Sequence, residues 1–518
     1  MDFQDTTGRE SGPGSPYGHP KARHTKMKPL VPLSDSSLGQ LASDIRTPKY
    51  DRANLTAGMV HIGLGNFHRA HQAWYTHRLF DAGKNHDWAI VGAGVRPSDA
   101  LQREKLLAQN CLTTLIELDP SGTSAEICGA MIDYLPVEPT NQALITCMAR
   151  PEIRIVSLTV TEGGYYLDAA TGGFDAGHPE IRHDAENPAE PRTAFGAMIA
   201  ALRLRRESGT GPFTCMSCDN LQGNGTVLHQ TLTSLARLSD PDLAAWIDQN
   251  CSFPDSMVDC IVPATGPKEI ALAAAFGVAD NAPVTHENFR QWVIEDNFCA
   301  GRPSWDDAGA VLVNDVDLYE TMKIRMLNGG HQIIAGAGDL LGLETVAQAM
   351  AHPQLNALMR KVETEEIVPH IAPVPNITPL AYLDLITARF SNSEIFDTTR
   401  RVAFDGSSRQ PGFIIPSIRD GLQSGAPVEG LALVSAIWAR YCQGHREDGS
   451  TIAPNDPHWE DLTQTAQEAA DAPMRWLEMS QYYGDLGQNQ RFADAFTQWF
   501  EKIQTKGLED TLEGYLNS

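Results

Sequence analysis

A chain of 518 residues with 65 acidic against 40 basic side chains, a formal net charge of -25, repels phosphate backbones, and no dense Lys/Arg run makes a local exception, so nucleic acid is excluded as a partner. Its 42% hydrophobic, 20% charged and 7% aromatic residues are ordinary for globular proteins, its length favours two or three domains, and no run of about 18 apolar residues offers a membrane span. Nine thinly spread cysteines, with no secretory signal ahead of them, point to reduced thiols and a cytoplasmic enzyme.

Residues 1–26 are rich in Gly, Pro, Ser and charge, which predicts a disordered N-terminal extension with Met27 as a candidate natural start. From 27 to about 290, short apolar runs alternate with helical segments, the texture of an α/β, Rossmann-type dinucleotide-binding domain. The expected strands are 60–63, 89–95, 113–118, 153–161 and 213–218. Cys215 and Cys218 form a CxxC in the last of these; a zinc ribbon needs a second pair and none follows, so two small residues on a buried strand is the simpler reading. Residues 291–518 read as a mainly α-helical C-terminal domain for substrate and catalysis, with helical spacing over 287–297, 318–341, 431–443, 458–479 and 491–503.

The stretch MVHIGLGNFHRAH, Met59 to His71, places an apolar strand before two glycines and a helical pattern after them. In a dinucleotide-binding unit the first glycine makes the tight turn and the second lets backbone approach the pyrophosphate, roles that suit Gly63 and Gly65. Asn66 and Phe67 open the helix and complete the candidate cofactor contacts. The third glycine of the usual fingerprint is replaced by His68, so an ordinary tight turn is also compatible with the pattern. Asp99 is the candidate acid for the adenine ribose diol, although it lies further on than the usual spacing of about 20 residues. Arg96 beside it suits a 2′-phosphate, so NAD is expected and NADP stays open.

The segment DLYETMKIRMLNGGH, Asp317 to His331, carries the most unusual polar group in the chain. On an α-helix Glu320, Lys323, Asn328 and His331 fall within an arc of about 140°. Met322, Ile324, Met326 and Leu327 bury most of this helix, so its Lys, Asn and His need partners or water; the alternative is a solvated face ending at Gly329 and Gly330. Two glycines inside a helix predict the close approach of another backbone or a ligand. With a nicotinamide carbon to accept the hydride, this set suits alcohol oxidation. A desolvated lysine can remove the hydroxyl proton, asparagine amides can meet the charge that develops on oxygen, and a histidine can hold a neighbouring hydroxyl.

Taken together, GLGNFHRAHQA, SLTVTEGGYY, SCDN, FPDSMVD and the K-x4-N-x2-H helix resemble the polyol-specific long-chain dehydrogenase family, in order from about Met27 to the C-terminus. The resemblance implies a metal-independent, NAD-dependent monomer acting on a sugar alcohol and its ketose, foremost mannitol and fructose, with arabinitol, sorbitol or a hexuronate as alternatives. It implies Lys323 as general base, Asn220 and Asn328 as stabilisers of the alkoxide-like transition state, and His331 as a substrate-orienting residue. Asp259, Arg401 and Arg409 match positions around the polyol hydroxyls, or else form surface salt bridges. Glu162 and Glu320 match acids that relay the lysine proton, or else are structural. Cys260 and Ser98 stand where one member of the family carries an arginine and a second acid, leaving sugar and cofactor preference open.

Overall fold

A computed structural model describes residues 29–168 and 172–518; the expected extension over 1–26 lies outside them. Five short runs form one parallel sheet: β1 (Ala57–Ile62), β2 (Ala89–Ala93), β3 (Met131–Tyr134), β4 (Ile155–Leu158) and β5 (Thr214–Ser217). Their spatial order is β3-β2-β1-β4-β5, every pairing parallel. The chain winds outward from β1 to β3 and then crosses back to β4, so a crevice opens at the carboxyl ends of β1 and β4, where such sheets take their ligands. β1, β2, β4 and β5 are buried on both faces, which is why they read as apolar runs rather than alternating ones. Along β1 the two faces still alternate: Val60 and Ile62 join a core with Phe195, Met198 and Leu232, while Met59 joins one with Phe80, Trp292 and Trp305.

The segment 287–297, expected to be helical, instead holds the end of one strand, at Glu287, and the whole of another, Gln291–Glu295. Val284–Glu287 pairs with Thr113–Asp119 in a three-stranded sheet, and Gln291–Glu295 lies between Val311–Val313 and β6 (Ser256–Asp259) in another. Trp292 and Ile294 enter one core and Val293 the other, a period of two over so few residues that spacing could not separate it from a helix. The sheet-bearing part therefore runs on to Val313, beyond residue 290.

From Asp317 onward the regular elements of the described chain are helices, joined by loops that carry isolated bridges. The helices Pro353–Val362, Pro379–Phe390, Glu429–Cys442 and Gln490–Lys506 share a core that includes Leu355, Leu358, Phe390, Leu433, Ile437 and Phe496. The expected helix over 458–479 is broken into Trp459–Asp471 and Met474–Leu477. Gly329–Leu340 runs through the middle, buried almost all round, as an apolar central helix must be. Among the described residues no helix is long and apolar enough to cross a membrane.

Candidate active site

β1 ends in the glycine turn. Gly63 has φ +95°, and a Cβ there would lie 2.1 Å from the Thr159 carbonyl oxygen, so only glycine lets β1 and the chain leaving β4 approach so closely. Replacing Gly63 with alanine is expected to cost about 2–4 kcal/mol, read as a lowered unfolding midpoint in denaturant. Gly65 caps the helix Asn66–Ala70, and a Cβ on it would meet nothing within 4 Å, so backbone faces open space at the head of the crevice. A dinucleotide pyrophosphate fits there.

His68, at the third fingerprint position, is buried and stacked on His61 with ring centroids 3.5 Å apart. His61 bonds Ser157 Oγ at 2.8 Å and Thr159 Oγ1 at 3.0 Å, and burial pushes its pKa down to about 3, so the pair packs the helix onto β1 without a positive charge on His61. The Asn66 side chain is taken up by protein partners. Its Nδ2 donates to Pro263 O at 2.8 Å and Thr265 Oγ1 at 2.9 Å, while its Oδ1 accepts from Arg69 at 2.7 Å. Phe67 stacks on His71 at 4.8 Å. Both side chains brace the turn. Asp99 begins the helix Asp99–Leu107 beyond β2, and one of its oxygens accepts from Arg96 N–H at 2.9 Å, closing its own turn.

The polar helix is not uniformly α. Asp317–Met322 and Gly329–Leu340 are α-helical, and Lys323–Asn328 between them is a π-helix. In an i→i+5 ladder a residue five positions on sits about one turn away, so Lys323 and Asn328 are drawn onto one face more closely than α-helical spacing allows. Lys323, 7% exposed, crosses to the sheet-bearing part: its Nζ donates to Asn220 Oδ1 at 2.5 Å and to Val258 O at 2.7 Å. Asn220 follows β5 at the carboxyl end of the sheet and is exposed, and Val258 belongs to β6. Asn328 is half-buried, its amide without a hydrogen-bond partner among the described residues. Glu320 accepts from Gly223 N–H at 3.1 Å, and burial raises its pKa to about 7 against the lowering effects of that hydrogen bond and of Lys323. His331 stacks on Phe390 at 4.0 Å with Nε2 buried and without a hydrogen-bond partner among the described residues; burial pushes its pKa down to about 3, which leaves the imidazole neutral.

Glu162 opens the turn Glu162–Tyr165 after β4, and its side chain lies outside what the structure describes. That turn is clamped beside Asn220: Asp219 accepts from Val160 N–H at 3.1 Å, Thr161 N–H at 2.9 Å and Tyr165 Oη at 2.8 Å. Thr161 has φ +66°, an uncommon conformation for a β-branched residue. The close approach expected at the helix glycines comes from a side chain: a Cβ at Gly330 would lie 3.2 Å from the Glu363 carboxyl and 3.4 Å from the Phe390 ring. Burial raises the Glu363 pKa well above its ordinary value.

Of the three residues matched to polyol hydroxyls, Asp259 is indeed in an ion pair, but a buried one, with Arg389. Burial alone would raise the Asp259 pKa; the charge and hydrogen bonds of Arg389, with Lys323 behind them, outweigh it and hold the carboxylate below its ordinary value. Arg401 is exposed and gives Nε and Nη2 to the two oxygens of Asp397 at 2.5 and 2.6 Å. Arg409 donates to Val402 O at 2.8 Å. The charges of Asp397, Arg401, Arg389 and Arg409 all act on His331, so the fold gathers these groups round one end of the polar helix. Arg389 and Asp397 were invisible to sequence reasoning, because neither lies in a glycine turn or on the polar face of a helix with apolar spacing.

Residues 57–307 match the model of the mannitol dehydrogenase Rossmann domain, and 315–504 that of the mannitol dehydrogenase C-terminal domain. The chain is 54% identical over 476 residues to mannitol 2-dehydrogenase of Cereibacter sphaeroides, covering 92% of this chain and 100% of the relative. It is 41% identical to D-mannonate oxidoreductase of Escherichia coli, covering 93% and 99%. The solved ternary complex of Pseudomonas fluorescens mannitol 2-dehydrogenase with NAD and D-mannitol superposes with a TM-score of 0.84 at 40% identity, covering 94% of this chain and 100% of that one.

Proposed function

Because the chain belongs to the mannitol dehydrogenase family, we propose that it oxidises D-mannitol to D-fructose, reversibly, with NAD. The observation that carries this reading is Lys323 Nζ, held between Asn220 Oδ1 and Val258 O at the carboxyl end of the sheet whose glycine turn fits a dinucleotide. Bound NAD supplies the acceptor for the hydride that leaves the alcohol carbon. Lys323 takes the hydroxyl proton. Its hydrogen bond occupies Asn220 Oδ1, which leaves Asn220 Nδ2 to donate, with the Asn328 amide, to the oxygen as charge develops there. Neutral His331 holds an adjacent hydroxyl, and Asp259 accepts from one further along the chain. Proton removal and charge stabilisation are both assigned to side chains, so no step calls for a metal.

Glu320, one turn before Lys323, passes the proton on through water. With its pKa near 7 it is a carboxylate above that pH and an acid below it. Oxidation needs the carboxylate as acceptor, so the rate of polyol oxidation rises as pH passes through about 7, while ketose reduction falls over the same range. Glu320→Gln is expected to remove that inflection and slow both directions about tenfold, read from pH profiles of kcat.

A sugar acid, the class named for the Escherichia coli relative, needs a cation for its carboxylate. Arg401 gives two of its donors to Asp397, which disfavours it for that task and favours a neutral polyol. Absorbance at the reduced nicotinamide band, with NAD or NADP and a panel of mannitol, arabinitol, sorbitol, fructose and fructuronate, tests the reading. NAD reduction with mannitol that survives a chelator is the expected result; fructuronate reduction without mannitol oxidation overturns it. The nine unpaired cysteines support a reducing, cytoplasmic setting, and the family resemblance supports a monomer, to be read by light scattering.

A further inference from the structure

Arg389 stands in the last turn of the helix Pro379–Phe390, 5% exposed, and reaches out of the helical part into the sheet-bearing part. Its guanidinium makes four charge-assisted hydrogen bonds: Nη1 and Nη2 to the two Asp259 oxygens at 2.7 and 2.8 Å, Nη2 and Nε to the two Glu287 oxygens at 2.7 and 3.0 Å. Its face lies over the Phe289 ring, 4.2 Å from the centroid. One buried cation thus serves two buried carboxylates on strands of two different sheets.

The two arms differ. Glu287 is also tied to the chain beyond β6, accepting from Ile261 N–H at 2.6 Å and donating its own N–H to Ile261 O at 3.0 Å. Asp259 adjoins Val258, whose carbonyl accepts from Lys323 Nζ, so the peptide that carries the Asp259 side chain also carries the lysine's acceptor. A carboxylate oxygen has a second lone pair, so Asp259 can accept a hydroxyl while Arg389 fixes its plane.

We propose that Arg389 is a positioning residue for polyol binding: through its paired donors to Asp259 it fixes the plane of that carboxylate for a substrate hydroxyl and, through the same peptide, holds the Val258 carbonyl against Lys323. This rests on the polyol-oxidising reading. An arginine is required because a lysine ammonium cannot offer two parallel donors to each of two carboxylates.

The test compares wild type with Arg389→Lys, Arg389→Met and Glu287→Gln for mannitol KM, kcat and NADH affinity by fluorescence. Arg389→Met is expected to raise the polyol KM about 100-fold, with kcat falling less and NADH affinity within about twofold. Arg389→Lys should fall between, at about tenfold in KM, and decides the matter if the methionine variant does not fold. Glu287→Gln keeps the Asp259 arm and should stay within about threefold of wild type in KM. A KM unchanged in Arg389→Lys, an equal rise in Glu287→Gln, or loss of NADH affinity in step with KM would overturn the proposal. Wild type that does not oxidise mannitol refutes the functional reading instead, and the three variants are then compared on the substrate it does turn over.

Discussion

Lys323→Ala is expected to lower kcat for polyol oxidation by about 10⁴-fold, with NADH affinity unchanged within about twofold as measured by fluorescence. Lys323 is the side chain that joins Asn220, at the end of the parallel sheet, to Val258 on β6, and its Nζ lies between the two. Without it the hydroxyl proton has no acceptor at the reacting end. Water and Glu320, one helical turn away, are poorer substitutes, because neither is held beside the oxygen. The glycine turn follows β1, in the sheet-bearing part of the molecule, so cofactor affinity should survive. A variant that retains more than about a tenth of wild-type kcat would show that another group is the base.

Asn220→Ala is expected to lower kcat about 10²–10³-fold with little change in the polyol KM, the signature of a donor that matters chiefly in the transition state. The residue is exposed to the crevice, so truncation leaves no buried cavity, and the unfolding midpoint should hold. Two roles are mixed in that loss, since Asn220 Oδ1 also holds the lysine. Asn220→Asp separates them. It keeps the acceptor for Lys323 and replaces the amide donor with a second oxygen, so it should be as slow as the alanine variant. Near wild-type kcat in Asn220→Asp would mean that holding the lysine is the whole function of this residue and that the oxyanion is met elsewhere, with Asn328 the next candidate.

What could be read from the chain is what is local. Gly63 was legible because a left-handed turn between a strand and a helix leaves few residues to choose from, and its φ of +95° shows the turn requires one. Lys323, Asn328 and His331 were legible because charged and polar residues on an otherwise apolar helix need an explanation, and the fold does bring Lys323 together with Asn220 from about a hundred residues earlier. Asn66 and Phe67 show the limit of the same approach. They open the helix that follows the glycine turn, yet their side chains turn to Pro263, Thr265 and His71, partners that no local pattern names.

The sequence by itself determined the strand-turn-helix that opens the parallel sheet, the helical character from Asp317 onward, and the chemical inventory of base, amides and imidazole, since each follows from short-range sterics or from the cost of burying a polar group. Only the tertiary structure decided that Lys323–Asn328 winds as a π-helix, that Gln291–Glu295 is strand, that His68 packs where glycine is usual, and that Arg389 binds Asp259 and Glu287. Each of these is settled by which surfaces meet when the helical part docks on the sheet. A strand of five residues is recognised by its neighbours, a π-turn by the packing that rewards its extra residue, and a buried ion pair by a partner more than a hundred positions away.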